Sequence, residues 1–111
     1  MPETYGELGY VAPSSSSIDV STSGNNTLIA AVTGQIIRVY QIFIVFNGDV
    51  NIIFRDGAST GLTGTMNMLS NGTFVLDYSG RPWFTTASGN AFVLNLSGAV
   101  QASGRVYFLQ S

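Results

Sequence analysis

The 111-residue chain has no cysteine, no histidine and no lysine. Without cysteine there is no disulfide, no thiolate nucleophile and no zinc–thiolate cluster. Without histidine the commonest general base, the usual activator of a nucleophile and the commonest metal ligand are missing together. A chain lacking all three residue types has little means of activating a nucleophile, and it reads as a non-enzyme with no cofactor and no metal. Charge is scarce as well: 9 % of the residues are charged, where about a quarter is ordinary. The four cations, Arg38, Arg55, Arg81 and Arg105, stand against six acidic residues, for a net charge of −2. Four scattered guanidinium groups cannot supply the counterion release on which nucleic-acid affinity rests, which argues against a nucleic-acid partner. The longest apolar stretch is far shorter than the ~20 residues of a membrane helix. The opening Met-Pro-Glu-Thr-Tyr-Gly-Glu has no basic region leading into an apolar run, so it does not read as a secretory signal. The expectation is a chain made in a cytosol, with no membrane partner.

What the chain does have is apolar residues, 45 % of the total, set among Ser, Thr, Asn, Gln and Gly. The length suits one domain with a two-sheet core. Its densest stretch runs from Gln35 to Phe46, almost unbroken in β-branched and aromatic residues, and Asn47-Gly48 leads straight into a second run from Asp49 to Asp56. Asn-Gly between two such runs is the strongest short-range hairpin signal. A two-residue turn would set Phe46 opposite Asp49, Val45 opposite Val50, Phe43 opposite Ile52 and Tyr40 opposite Arg55. Val39, Phe43, Val45, Val50, Ile52 and Phe54 then share one face. Tyr40, Ile42, Ile44, Phe46 and Ile53 share the other with Asp49, Asn51 and Arg55. That second face is too apolar for open water, which marks Tyr40, Ile42, Ile44, Phe46, Ile53 and Arg55 as candidates for a subunit interface.

The rest of the chain reads as short strands between turns. Residues 1–14 contain Pro2, Gly6, Gly9 and Pro13 and form no regular element. Their Tyr5, Leu8, Tyr10 and Val11 suggest an extended arm with anchors for a neighbouring molecule, joined through Ser14–Ser17 to a domain over 15–111. Strands are expected around Ile18 and Val20 and over Thr27–Val32. A second Asn-Gly hairpin at Asn71-Gly72 would pair Leu69 with Phe74 and Met68 with Val75. A third hairpin is expected around Ser97-Gly98, with a bulge at Gly104. No segment has helical periodicity, and about eight strands at ten-residue spacing indicate an all-β antiparallel β-sandwich or jelly roll with an extended N-terminal arm.

Few constellations carry chemistry. Asp49, Asp56 and Asp77 fall at or beside turns, where Asp serves local backbone hydrogen bonding, so they make no catalytic pair. The glycine-rich stretch 57–64 lacks the lysine and helix of a phosphate loop. Trp83, with Phe84 and Tyr78, either forms a platform that stacks on a sugar ring or seals the end of the core.

The stretch from Asn26 to Phe108 resembles a family of small all-β phage virion proteins, the capsid decoration (cement) proteins. The matching residues are Thr27-Leu28-Ile29-Ala30-Ala31-Val32, Gly34 with Ile36 to Val39, and Phe54-x-Asp56-Gly57. They continue with Leu62-Thr63-Gly64-x-Met66, Asn71-Gly72-x-Phe74-Val75-Leu76, Trp83-Phe84-x-Thr86 and Leu94-x-Leu96-Ser97. The resemblance implies a structural protein made in the host cytoplasm and located on the capsid exterior. There, commonly as a homotrimer, it would clamp joints between major capsid protein subunits. The alternative is a phage tail or tail-tip β-sandwich module with a carbohydrate-binding, adhesive role carried by Trp83 and Tyr78.

Overall fold

The structure, a computed structural model, describes residues 13–111. The arm candidates Tyr5, Leu8, Tyr10 and Val11 lie outside the described residues. Ten strands and no helix make up the described part. They are β1 (Ser14–Val20), β2 (Gly24–Ile29), β3 (Ile37–Phe46), β4 (Val50–Asp56) and β5 (Thr60–Gly61), then β6 (Met66–Met68), β7 (Thr73–Leu76), β8 (Phe84–Thr85), β9 (Phe92–Leu96) and β10 (Ala102–Gln110). Two five-stranded sheets result. The first has the order β1-β10-β3-β7, with β8 also on β3; the second has β2-β9-β4-β5, with β6 also on β4. Every pairing is antiparallel.

The expected central hairpin does not form. β3 belongs to the first sheet and β4 to the second, so Asn47-Gly48 carries the chain across the sandwich instead of back along it. The reason lies in the side chains. In a two-residue hairpin Ile42, Ile44 and Phe46 share a face with Asp49 and Asn51, while Val50, Ile52 and Phe54 point the other way. No hairpin of that register buries both sets. Crossing to the opposite layer does, and all six side chains are buried in one core.

Asn71-Gly72 and Ser97-Gly98 are crossings too: Met68 pairs with Val50, Val75 pairs with Phe43, and β9 and β10 lie in different sheets. The three crossings are tied together by main-chain hydrogen bonds. Phe46 N donates to Gly72 O (3.0 Å), Asn71 N to Phe46 O (2.7 Å) and Asn47 N to Gln101 O (3.0 Å). Backbone groups that leave a ladder must find partners elsewhere, and here each arch supplies them for the next.

A second departure sits inside β3. Tyr107 pairs with Gln41 but Phe108 pairs with Val39, which leaves Tyr40 as an extra, unopposed residue. Such a bulge shifts the alternation by one. Ile37 and Val39 therefore point inward on one side of it and Ile42, Ile44 and Phe46 on the other, all of them fully buried. The bulge expected at Gly104 is absent, because Gly104 pairs in register with Ile44 and Ile18. Glycine is required there for another reason: a Cβ would run into the main-chain carbonyl oxygen of Phe43. Ser14–Ser17, read as a joint, belong to β1, and the strand expected over Thr27–Val32 runs instead from Gly24 to Ile29.

Opposite β1 and β2 the sandwich is closed by four rings. Phe54 lies 5.1 Å from Phe74, 5.2 Å from Phe84 and 5.5 Å from Phe92, centroid to centroid. Two of the rings come from each sheet, so the cluster joins the layers as well as filling space.

Gly104→Ala is expected to destabilise the fold by about 3 kcal/mol or more, because backbone rather than a side-chain tip must yield. Gly98→Ala, with nothing within 4 Å of its Cβ, should stay within about 0.5 kcal/mol. Urea titration of the two variants checks the contrast.

Candidate interaction face

The register fixes which side chains share the outer surface of the first sheet. One row across it is Ser17, Arg105, Phe43 and Val75; the next is Asp19, Ser103, Val45 and Thr73. The β1–β10 half of this surface is polar and satisfied from within. Arg105 donates to Ser15 Oγ (2.7 Å) and Ser17 Oγ (3.1 Å). Gln101 Nε2 donates to Asp19 Oδ1 (2.7 Å) and Ser103 Oγ (3.0 Å).

The β3–β7 half is apolar and bare. Phe43 is 41 % exposed, Val45 45 % and Val75 51 %. Past the bulge the surface continues into aromatics, where Tyr40 packs on Tyr78 with ring centroids 6.1 Å apart. Phe84 turns into the core, which leaves its neighbour Trp83 on the outer side. The indole is held in place: Trp83 Nε1 donates to Asp77 O (2.8 Å), and its main-chain N donates to Val39 O (2.7 Å). Even so, Trp83 is 45 % exposed and Tyr78 56 %. Among the described residues the other large apolar side chains this exposed are Val32 and Leu69, both in connections. Exposed apolar side chains gathered on one sheet face among polar groups are the mark of an interaction site.

The six residues expected to form one interface are not brought together. Ile42, Ile44 and Phe46 are in the core. Tyr40 is the bulge residue of the first sheet, while Ile53 and Arg55 belong to β4 of the second. Tyr40 and Arg55 are thus in different layers, and the pair expected between them gives way to Tyr40–Tyr78 on one side. On the other, Arg55 Nη1 donates to Asn25 Oδ1 at 3.1 Å. Phe43 and Val45, assigned by strict alternation to the core face, are the side chains left outside.

The outer face of the second sheet is polar. Asn95 Nδ2 donates to Asn25 Oδ1 (2.8 Å) and Asn67 Nδ2 to Asn51 Oδ1 (2.8 Å). Two acidic groups are used as ties between connections. Asp49 Oδ1 accepts from Ser70 N (2.8 Å), and Asp56 accepts from Ala87 N (2.9 Å) and from Asn90 Nδ2 (3.0 Å). Among the described residues no group of three or more acidic side chains could hold a metal ion, and no helix is long and apolar enough to cross a membrane.

No protein-family profile matches the chain, and no curated protein matches it.

The two faces of β3 separate cleanly by mutation. Ile44→Asp buries a charge and is expected to cost more than about 4 kcal/mol, enough to unfold many domains of this size. Phe43→Asp, one residue away on the bare face, should remain folded with a loss of less than about 1 kcal/mol. Circular dichroism with thermal melts of both variants reads the difference.

Proposed function

We propose that this chain is a structural virion protein, a capsid decoration protein that binds the outside of a phage head and stabilises the shell by bridging major capsid subunits. The observation that carries this reading is the bare apolar strip of Phe43, Val45 and Val75, continued by Tyr78 and Trp83, on an otherwise self-satisfied sandwich. A surface of this kind is suited to burial against protein, and permanent interfaces are more apolar than average surface. The resemblance to decoration proteins adds the phage head as the setting and a homotrimer as the assembly. The arm residues Tyr5, Leu8, Tyr10 and Val11 would add contacts to a neighbouring subunit.

Within this proposal the sandwich is a jelly roll. The strand order supports it: β1-β10-β3 with β7 and β8 at one edge faces β2-β9-β4 with β5 and β6 at the matching edge. Each short pair occupies one edge position, so ten strands fill eight places.

The rival reading, a tail or tail-tip adhesion module, is favoured by one observation, the rigid exposed indole of Trp83 beside Tyr78. An aromatic plane fixed in the open is how a sugar ring is stacked.

Light scattering on the purified chain should give about three times the 11.8 kDa protomer mass, an assembly closed by symmetry. The double variant Phe43→Asp/Val75→Asp should sediment as a folded monomer and fail to attach to undecorated shells. A monomeric wild-type protein that is retained on a glycan array, with retention lost in Trp83→Ala, would replace the decoration reading with the adhesion one.

A further inference from the structure

Three steps in the chain place glycine after an Asx residue: Asn47-Gly48, Asp56-Gly57 and Asn71-Gly72. Such steps are chemically weak. The main-chain nitrogen of the glycine can attack the Asx side-chain carbonyl carbon, since no side chain on the glycine blocks its approach. The attack needs that nitrogen free and the local chain able to bend.

The structure separates the three. Gly57 N donates to Ala91 O (2.8 Å), and the Asp56 carboxylate is held by Ala87 N and Asn90 Nδ2. Gly72 N donates to Leu69 O (2.8 Å), with Asn71 locked in the left-handed region at φ 63°. Gly48 differs from both: among the described residues neither its main-chain nitrogen nor the exposed Asn47 side chain makes a hydrogen bond.

We propose that Asn47-Gly48 is a site of spontaneous deamidation in the folded protein, and that Asn71-Gly72, the same dipeptide in a neighbouring arch, is protected. Gly48 N bonds to Cγ of Asn47, the Cγ–Nδ2 bond breaks, and ammonia leaves carrying the proton displaced from Gly48 N. Water then opens the five-membered imide at either carbonyl. One opening gives aspartate; the other gives isoaspartate, in which the main chain runs through Cβ and Cγ. The sum is asparagine plus water to aspartate or isoaspartate plus ammonia, and no other reactant is needed.

The products load the place where β3 crosses to β4. Either adds a negative charge there, and the isoaspartyl form also lengthens the main chain by one methylene. Asn47 N is bonded to Gln101 O. A lengthened crossing pulls on the β9–β10 arch through that hydrogen bond.

The test is incubation of the folded chain in mildly alkaline buffer at physiological temperature, with peptide mapping by mass spectrometry and methyltransferase labelling of isoaspartate. Conversion at Asn47 should run at least about tenfold ahead of Asn71, because exchange of a protected amide requires local opening first. It should accelerate as pH rises, as the attacking nitrogen must lose its proton. In denaturant the two sites should convert at similar rates, and Asn47→Gln should remove the fast phase. Equal rates at Asn47 and Asn71 in the folded chain would overturn the proposal. So would silence at Asn47 in the folded chain when it reacts in denaturant.

Discussion

The structure depends on one geometrical requirement: the apolar residues of β3 and those of β4 must meet in the same interior. Within a single two-residue hairpin they cannot, so the chain changes layer at Asn47-Gly48. That choice propagates. Of the nine links between successive strands, six change sheet, namely β1–β2, β2–β3, β3–β4, β6–β7, β8–β9 and β9–β10. Each crossing takes backbone groups out of the ladders, and at the Asn47, Asn71 and Ser97 end they find one another. Asn51 N donates to Ser97 Oγ (2.8 Å) and Ser97 N to Asn51 O (2.9 Å), joining β4 to the last arch as firmly as the first two arches are joined.

The same requirement decides what is left for function. Once Ile42, Ile44 and Phe46 are turned inward, the intervening Phe43 and Val45 must face out. The first sheet then has a divided outer surface. Near β1 the side chains answer one another, Arg105 with two serines and Asp19 with Gln101. Near β7, among the described residues, Phe43, Val45 and Val75 stay exposed. The second sheet has no such division, because Asn25, Asn95 and Arg55 bond among themselves, as do Asn51 and Asn67. The contrast between the two faces sets the β3–β7 side of the first sheet apart, with the hydrogen-bonded indole of Trp83 at its end.

Much of this is legible in the residues, and what is not legible has physical causes. The strands around β3, β4, β7, β9 and β10 are marked by β-branched and aromatic runs between Gly, Asn and Ser, and the all-β class follows from them. The pairing does not, because Asn-Gly bends a chain without stating whether it returns in its own sheet or crosses to another. The clash between the apolar sets of β3 and β4 was the available sign of crossing. The bulge at Tyr40 has no sequence mark, since neither glycine nor proline stands there, and missing it reverses the faces of half the strand. Hence the residues alone leave Tyr78 and Trp83 between an exposed platform and a seal on the core, while strict alternation puts Phe43 and Val45 inside and gives Val75 no surface role.

The placing of β9 and β10 has a consequence for how the chain reaches this state. β10 lies between β1 and β3, and β9 between β2 and β4. The centre of each sheet is therefore filled by strands made long after their neighbours. Until residues beyond about Ala91 are available, β1 and β2 have no ladder to join and β3 and β4 lack a partner on one side. Almost all the pairings are distant in sequence, from Ser14 with Phe108 downward, and closing such loops before contacts reward it makes folding slow. During that interval the ten-residue β3 stands with one edge open. The chain's exposure to misassembly is greatest then, and a folding partner or rapid synthesis of the final strands would matter more to its yield than any single contact in the finished sandwich.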